Sequence, residues 1–517
     1  MNEKLRALIR AAASQLTAAV LIVGCFGMLL SQPVSLAAQN AAPFDKQNVI
    51  NTLSAKENGL QVLVRDANGG IVCRQASLEE INQLSGNRRS AAKPILRVIN
   101  PPSPEKRLSA AQTEGINIVL RGTPQLENFP AAKQAFIRAA NRWRSFIKTP
   151  ITIVIDVDYG PTRFGEPYPA NVLGSTSAQE VGGDQLYPVL REALVETASN
   201  PIKKAFLNLL PQSQLPTDIG ATTGAFSTTA QLRSVGLLPA VADPDNEPPA
   251  FGPPPSIGFN SNIVDYQFNP DNGIAPDKTD FDAVATHEIG HALGFTSWNG
   301  LNELAPEAPI LPTVWDFFRL AQNSNLADLA FAPRIQRAGV EADYVGLLGS
   351  KPLSTGGQIG DRGDGFQSSH WKQGILYKRY IGIMDPAIPA GFRYSITVDD
   401  LAALDSFGYN INLNEASKLP VILSLNTRVV NNTLQATGVA TDGNGNLRSG
   451  FIKLYNNQGR LLGFGAINVT FRGRSITSFN FQISNLSRFT NLAQISVQAI
   501  DAEQNYSPSF VANVTQP

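Results

Sequence analysis

The residues with the clearest chemistry are the five at 287–291, which read HEIGH. Residues four apart on a helix lie on one face, so the imidazoles of His287 and His291 can reach the same metal ion. The chain holds only three histidines, which makes a chance pair at this spacing rare. A helix with two incidental histidines is the alternative. The sequence therefore favours a Zn²⁺ site on a helix, with Glu288 beside the metal.

The residues around this motif predict the helix that must carry it. Thr279 and Asp282 have the spacing of a capping box, and Gly294 can end the helix. Glu288 falls inside the apolar arc of the helix, where a carboxylate is costly unless it has a partner or a role in catalysis. The arc comprises Phe281, Val284, Ala285, Ile289 and Ala292. The pattern indicates a catalytic glutamate.

A catalytic zinc site needs a third protein ligand and an open position. The remaining histidine, His370, follows His291 by 79 residues. It is either that ligand or an isolated loop imidazole. Glu303 or Glu307 is the rival ligand and would give a His₂Glu site. Gly294 directly after the motif favours His370, because that ligand then arrives from a separate segment.

Three segments together resemble the leishmanolysin-type metzincin proteases: residues 287–295 (HEIGHALGF), residues 369–371 (SHW) and residues 382–386 (GIMDP). The contiguous metzincin motif has a histidine where Ser297 stands here. The resemblance covers about 280–410, and upstream of it only a strand–helix–strand order agrees. Enzymes of this family are usually rich in disulfides, whereas this chain has two cysteines, so it resembles a distant, bacterial-style relative.

The resemblance implies a role for each residue of the site. His287, His291 and His370 would bind one catalytic Zn²⁺, and Glu288 would be the general base. Met384, the only methionine after residue 28, would form the floor of the site in a Met-turn. No residue is identified as the stabiliser of the oxyanion.

Cys73 allows two interpretations. A thiol from an N-terminal segment can occupy the open position of a zinc site and inhibit the enzyme. The other interpretation is a buried, unreactive cysteine, which the sequence favours.

The N-terminus predicts export. A basic start precedes an apolar run at 16–30, and a small-residue cleavage site lies near Ala37. A lipoprotein anchored through Cys25 is the less favoured alternative. The chain has 42 basic and 42 acidic residues among 517, so its overall charge does not indicate a nucleic-acid-binding protein.

The patterns predict an α+β metzincin-like catalytic domain, with a mixed twisted sheet and an active-site helix, followed by an all-β sandwich. Residues 116–121, 131–147 and 151–157 read as strand, helix and strand. The expected divisions are a signal peptide at 1–37, a separate propeptide or N-terminal domain at 38–112, the protease domain at 113–412, and a sandwich of immunoglobulin or fibronectin-III type at 416–517.

Asp442, Asn444 and Asn446 occupy every second position, a spacing that is also seen for the oxygen ligands of Ca²⁺ in binding loops. The same Asp-Gly-Asn-Gly sequence is typical of a hairpin turn, which is the interpretation that we favour here.

The leading functional expectation is an exported zinc endopeptidase that acts on protein or peptide substrates. One alternative is a catalytically inert cell-surface binding or adhesion protein, in which the sandwich binds a surface, a carbohydrate or a protein. Another is a His₂Glu zinc aminopeptidase.

Overall fold

Among the residues that the structure describes, helices and strands alternate from 46 to about 410, whereas the later part of the chain is mostly strand. The computed structural model describes residues 46–55, 60–65, 70–85, 95–100, 115–262, 266–269, 274–275, 277–299, 311–356, 363–373, 380–458, 460–467 and 475–514. The predicted signal peptide with Cys25, and the rival ligands Glu303 and Glu307, lie outside these ranges.

The α-helices are α1 (Lys46–Asn51), α2 (Leu78–Ser85), α3 (Pro130–Phe146), α4 (Leu186–Glu196), α5 (Pro201–Leu207), α6 (Thr229–Ser234), α7 (Phe281–Leu293), α8 (Val398–Ser406) and α9 (Leu413–Ala416). Short 3₁₀ turns occupy Gln125–Asn128, Pro249–Phe251, Asp316–Phe318, Leu326–Ala330 and Leu486–Arg488. Within the described ranges, none of the helices combines the length and apolar character needed to cross a bilayer.

The strands are β1 (Ser54–Ala55), β2 (Leu60–Arg65), β3 (Ile71–Gln75), β4 (Arg97–Val98), β5 (Asn117–Gly122), β6 (Thr152–Gly160), β7 (Thr162–Arg163), β8 (Glu166–Pro167), β9 (Gly174–Ser177), β10 (Glu180–Gly183), β11 (Ala225–Thr228), β12 (Ser256–Asn260), β13 (Tyr266–Gln267), β14 (Thr279–Asp280), β15 (Arg319–Ala321), β16 (Ala342–Gly346), β17 (Gly349–Leu353) and β18 (Ala387–Ile388). The C-terminal strands are β19 (Val421–Val430), β20 (Thr433–Thr441), β21 (Leu447–Asn456), β22 (Leu461–Ile467), β23 (Ile476–Ser484), β24 (Leu492–Asp501) and β25 (Phe510–Asn513).

An eight-stranded mixed sheet organises the first part of the chain, in the order β18-β3-β2-β9-β12-β6-β5-β4. Strands β5, β6 and β12 are parallel, and α3 connects β5 to β6, as the strand–helix–strand pattern predicts. One face of α3 is buried, and its residues are Ala132, Ala135, Phe136, Ala139, Ala140, Trp143 and Phe146. These side chains belong to the same apolar core as α7, so the sheet and α3 together support the helix with the HEIGH motif.

The N-terminal segment does not form a sheet of its own, which corrects the expectation of a separate small unit before residue 113. Strand β2 pairs with β9, and β3 pairs with β18, so both strands belong to the eight-stranded sheet. The first four residues of β2 are buried. A two-stranded hairpin with that apolar content is marginally stable alone and needs further strands to cover it. Removal of this segment as a propeptide stays a prediction.

The C-terminal strands form two antiparallel sheets, β19-β20-β23 and β22-β21-β24-β25. Side chains from both sheets share one apolar core, with Leu434 and Phe479 from the first and Ile452 and Ile495 from the second. The predicted two-sheet arrangement is therefore present, and β22 and β25 are strands that the sequence pattern did not indicate.

Residues 442–446 contain a turn, in which the Gly445 N–H donates to the Asp442 carbonyl over 3.0 Å, but the turn does not close a hairpin. The interpretation that the sequence favoured is therefore confirmed for the turn and wrong for the hairpin. Strand β20 pairs with β19 and β23, whereas β21 pairs with β22 and β24. The segment therefore connects the two sheets of the sandwich. A short polar sequence does not distinguish a hairpin from such a crossing, because the strand pairing that decides between them is set by distant residues.

The sandwich contacts the preceding α+β part, and residues 47–517 form one compact unit. The backbone N–H of Tyr506 donates to Ser395 Oγ over 3.0 Å, and that of Ser509 donates to the Tyr380 carbonyl over 2.7 Å. The chain is thus a mixed α+β fold followed by β-rich sheets that pack against it.

Candidate metal centre

Helix α7 begins at a polar cap and ends at a glycine. Asp280 accepts hydrogen bonds from the backbone N–H groups of Asp282 and Ala283, so it caps the helix in place of Thr279. Arg138 on α3 forms two 2.7 Å hydrogen bonds with the Asp282 carboxylate. Gly294 has φ 125°, a conformation that glycine adopts without strain. All thirteen residues of α7 are buried, so the helix is held firmly between α3 and the rest of the core.

The three imidazoles converge. His287 Nε2 lies 3.1 Å from His291 Nε2 and 3.2 Å from His370 Nε2. Ligand nitrogens in a tetrahedral zinc site lie about 3.3 Å apart, given Zn–N distances of roughly 2.0–2.1 Å. The spacing of these nitrogens fits one such ion, and the donors are of the type that zinc prefers.

The other nitrogen of each ring is oriented by a backbone carbonyl. Nδ1 of His287 lies 2.7 Å from the Ile383 carbonyl, Nδ1 of His291 lies 2.5 Å from that of Phe295, and Nδ1 of His370 lies 3.0 Å from that of Gln367. A proton on Nδ1 satisfies each carbonyl and leaves the Nε2 lone pair for a metal. The rings are therefore preorganised by three separate pieces of backbone.

Burial keeps the three imidazoles neutral. It lowers the pKa of His287 to about 4, against a smaller opposing effect of the Ile383 carbonyl. Burial also lowers the pKa of His291 and of His370 well below the usual value, and the neighbouring imidazoles add to the shift. Since a metal binds only the neutral ring, the site is in its ligating form at neutral pH.

Ser297 helps to hold the segment that carries His370. Its backbone N–H donates to Ser369 Oγ over 2.9 Å. Trp315 Nε1 donates to the Ser368 carbonyl over 3.0 Å, and the Trp315 and Trp371 rings lie 4.8 Å apart. Ser297 stands where the contiguous motif has its third histidine. In this chain it instead helps to fix the loop that carries His370.

Met384 lies under the helix, and Gly290 makes room for it. Met384 is fully buried, and a Cβ added to Gly290 would lie 2.4 Å from its Sδ atom. The carboxylate of Asp400, on α8, accepts from the backbone N–H groups of Ile383 and Met384 and from Trp371 Nε1. No sequence pattern indicated that Gly290 or Asp400 supports the site. The T-x-x-D spacing at Thr397 signals only a helix cap, and the contact with residues 383–384 requires the tertiary structure.

Glu288 is fully buried. Among the described residues, neither carboxylate oxygen has a hydrogen-bond partner. Burial raises the pKa of Glu288 to about 8, an effect that is only partly offset by the nearby Thr176 hydroxyl, which lies outside hydrogen-bond geometry. A buried carboxylate left without a partner costs several kcal/mol if charged, so its presence requires a functional explanation.

Cys73 lies at the same site. Its Sγ is 3.8 Å from His291 Nε2, and the ligand atoms of Cys73 and the three histidines lie within 4.8 Å of one another. The thiol donates to Gln61 Oε1 over 3.3 Å, and the Cys73 N–H donates to the Pro386 carbonyl over 2.8 Å. Burial raises the pKa of the thiol, and the negative charge of Glu288 adds to this. Cys73 is thus buried, as the sequence favoured, and it is also beside the histidines.

The comparisons with known proteins do not assign this chain to a family. No protein-family model and no curated protein matches it. Two chains of OgpA from Akkermansia muciniphila, one catalytically inactive and in complex with an O-glycopeptide substrate, align with TM-scores of 0.16 and 0.15 at 11% and 12% identity. These alignments cover 19% and 24% of this chain and only 29% and 38% of OgpA. The C-terminal domain of wzt aligns with a TM-score of 0.14 at 11% identity, over 19% of this chain and 74% of that domain.

Proposed function

We propose that this protein is an exported zinc-dependent endopeptidase. The observation that carries the proposal is the convergence of three neutral Nε2 atoms beside a buried glutamate. Zinc at such a site supplies a Lewis acid that polarises the scissile carbonyl and makes water acidic enough to be a nucleophile near neutral pH.

Glu288 is the general base of the proposed reaction. It lies next to His287 in sequence, and its carboxylate makes no structural hydrogen bond with the described residues. It therefore accepts the proton of the attacking water and delivers it to the leaving amine. A bound Zn²⁺ would counter the burial that raises the pKa of Glu288, because a nearby positive charge stabilises the carboxylate that accepts the proton.

The three histidines are the proposed zinc ligands, and the chain is a proposed distant relative of the leishmanolysin-type metzincins. Support comes from the order of the motifs and from the packing of Met384 against Gly290. It also comes from α8, which orients residues 383–384 through Asp400. The placement of His370 provides a third ligand without Glu303 or Glu307, so it favours a His₃ site over the His₂Glu aminopeptidase.

Cys73 is the proposed inhibitory thiol. Its sulfur and the ligand nitrogens of the three histidines lie within 4.8 Å of one another, which supports a shared ion with the thiolate as fourth ligand. A thiolate there would exclude the attacking water, so the chain with residues 38–112 attached would be latent. Release of β3 from its place between β2 and β18 would then open the site.

The test of the proposed function is digestion of casein by the purified protein. Glu288→Ala should reduce activity by about 10²–10⁴-fold and leave one zinc per chain, because Glu288 is a base and not a ligand. A chelator should abolish the activity, and added zinc should restore it. A processed chain that binds zinc but digests nothing would instead identify an inert binding protein. Cleavage of an N-terminally blocked substrate distinguishes an endopeptidase from an aminopeptidase.

A further inference from the structure

The C-terminal sandwich contacts the α+β part through the segment 380–395. The backbone N–H of Ser509 donates to the Tyr380 carbonyl over 2.7 Å, and the Ser509 hydroxyl accepts from the Tyr380 N–H over 3.1 Å. At the other end of the segment, the Tyr506 N–H donates to Ser395 Oγ over 3.0 Å. The Tyr380 hydroxyl joins the two ends, because it accepts from the Ser395 N–H over 2.8 Å. The sandwich therefore holds both ends of this segment.

The middle of the segment is a turn at 382–385 that contacts two of the stretches with proposed zinc ligands. The Ile383 carbonyl lies 2.7 Å from Nδ1 of His287. The Met384 carbonyl accepts, over 3.1 Å, from the N–H of the residue that follows His370. Partners of this kind orient metal ligands. A displacement of the turn would therefore change the surroundings of both histidines at once.

The turn is built around the carboxylate of Asp385. This residue is fully buried, and its carboxylate accepts from the backbone N–H groups of Ile381 over 3.2 Å and of Gly382 over 3.1 Å. A second buried carboxylate, that of Asp400, accepts from the N–H groups of residues 383–384. Burial raises the pKa of Asp385, and the negative charge of Asp400 adds to this. A positive charge close to Asp385 would favour the ionised form, which accepts hydrogen bonds best.

Lys453 of β21 supplies a positive charge from the sandwich. Ile452 and Leu454 belong to the core of the sandwich, so the side chain between them faces away from that core. Lys453 is nevertheless only 3% exposed, and its ammonium lies 4.9 Å from the centre of the Phe392 ring. Phe451 lies two residues earlier on the strand, and its ring centre is 5.3 Å from that of Phe392. This face of β21 therefore packs against the segment whose ends the sandwich holds.

The charges of Lys453 and Asp385 attract each other in this buried interface. Burial lowers the pKa of Lys453 to about 8, and the negative charge of Asp385 opposes this shift. The charge of Lys453 in turn opposes the effect of burial on the pKa of Asp385. A buried charge is costly unless it has a partner, and loss of one partner leaves the other uncompensated. Each of the two residues is thus stabilised by the other.

We propose that Lys453 is a positioning residue for the metal centre, through which the sandwich holds the turn at 382–385 in place. Lys453 compensates the charge of Asp385, and Asp385 binds the N–H groups at the start of the turn. The turn then presents the carbonyl that orients His287. The sandwich thus supports the metal site of its own chain. This inference rests on the zinc site of the proposed function.

The experiment measures the zinc affinity of the full chain by competition with a chromogenic chelator near neutral pH. Lys453→Met keeps an unbranched side chain of similar length beside Phe392 but removes the charge. Zinc binding should weaken by at least about threefold, and by less than the roughly 10- to 100-fold typical of a direct partner of a ligand, because Lys453 acts through Asp385. The matched control is Lys418→Met, which removes a more exposed lysine that pairs with Glu415 and should leave the zinc Kd unchanged.

A second pair of variants separates charge from packing. Asp385→Asn leaves Lys453 buried without its partner and should also weaken zinc binding by at least about threefold. Both charges are absent from the double variant Lys453→Met/Asp385→Asn, so its zinc Kd should return to within about twofold of wild type. Recovery of this kind shows that the two residues act as a pair, whereas a lysine that only fills space would give additive losses.

The results distinguish failure of this inference from failure of the proposed function. A wild-type chain that binds no zinc would overturn both. A zinc-binding wild type whose Kd is unchanged in Lys453→Met, or additive losses in the double variant, would overturn the role of Lys453 and leave the zinc site standing. If Lys453→Met does not fold, the double variant decides. Tighter zinc binding by the double variant than by Asp385→Asn supports the pair, and equally weak binding by both refutes it.

Discussion

Burial has different consequences at the histidine cluster and at the end of the C-terminal sheets. The histidine cluster lies in the core, where burial keeps the rings neutral and the backbone holds each one in place. At the end of the sandwich, burial and the charges of Glu503 and Asp442 raise the pKa of Asp501 to about 6, while Asn505 donates to both of its carboxylate oxygens. Neutral imidazoles can therefore be held ready for a metal by backbone carbonyls, whereas a buried carboxylate depends on N–H donors to offset its charge.

His370→Ala should break the first site entirely. Loss of a residue that only orients a metal ligand lowers metal affinity by about 10- to 100-fold. Removal of His370, one of the three proposed ligands, should therefore lower zinc affinity by more than about 100-fold. Metal analysis of the purified protein should then find no stoichiometric zinc, with no proteolytic activity. Ser369→Ala is the matched control in the same loop, since it removes a hydrogen bond to Ser297 but no ligand. Full zinc retention in His370→Ala would exclude this residue as a ligand.

Cys73→Ser tests whether the core site is blocked. If the thiolate occupies the fourth position, the unprocessed variant should digest casein at least about tenfold faster than wild type, equivalent to roughly 1.4 kcal/mol of blocking interaction. Gln61→Ala keeps the thiol but removes its hydrogen-bond acceptor and is the control. Equal activity of Cys73→Ser and wild type would show that the thiol is only a buried core residue.

Gly290→Ala tests how tightly the core site is packed. The added Cβ would lie 2.4 Å from Met384 Sδ, so the methionine must move. Overpacking of this kind typically costs about 1–3 kcal/mol, which thermal unfolding would detect as a lower Tm. Gly236→Ala has nothing within 4 Å of the new Cβ but a φ of +74°, so it measures the backbone cost alone. A Gly290→Ala variant as stable as wild type would mean that Met384 is not packed firmly beneath the helix.

The smallest expected effect is the pH dependence of stability that comes from Asp501. The pKa of Asp501 is raised to about 6 in the folded chain, so its contribution to stability is present below the pKa of an unfolded aspartate and is lost as pH rises through about 6. The Tm at pH 7.5 minus the Tm at pH 4.5 should therefore be more positive for Asp501→Asn than for wild type, because the variant lacks a group that destabilises the fold as pH rises. The same difference in both chains would show that Asp501 does not carry this pH dependence.

Several features followed directly from the residue pattern. The periodicity around 281–293 predicts the helix, and the apolar runs predict most C-terminal strands, because both depend on contacts that repeat locally. The placement of residues 60–75 was not predictable in this way. Strand β2 reads as an ordinary short strand, and only its pairing with β9 shows that it belongs to the central sheet.

The sequence alone determined which residues could bind a metal, since donor type and helical spacing are local properties of His287, Glu288 and His291. The tertiary structure decided which distant residues join them. His370 and Cys73 reach the helix through loops and strand pairing, and Asn446 meets Glu503 because residues 442–446 cross between sheets. These contacts join residues up to 218 positions apart, and no local pattern fixes the register that brings them together.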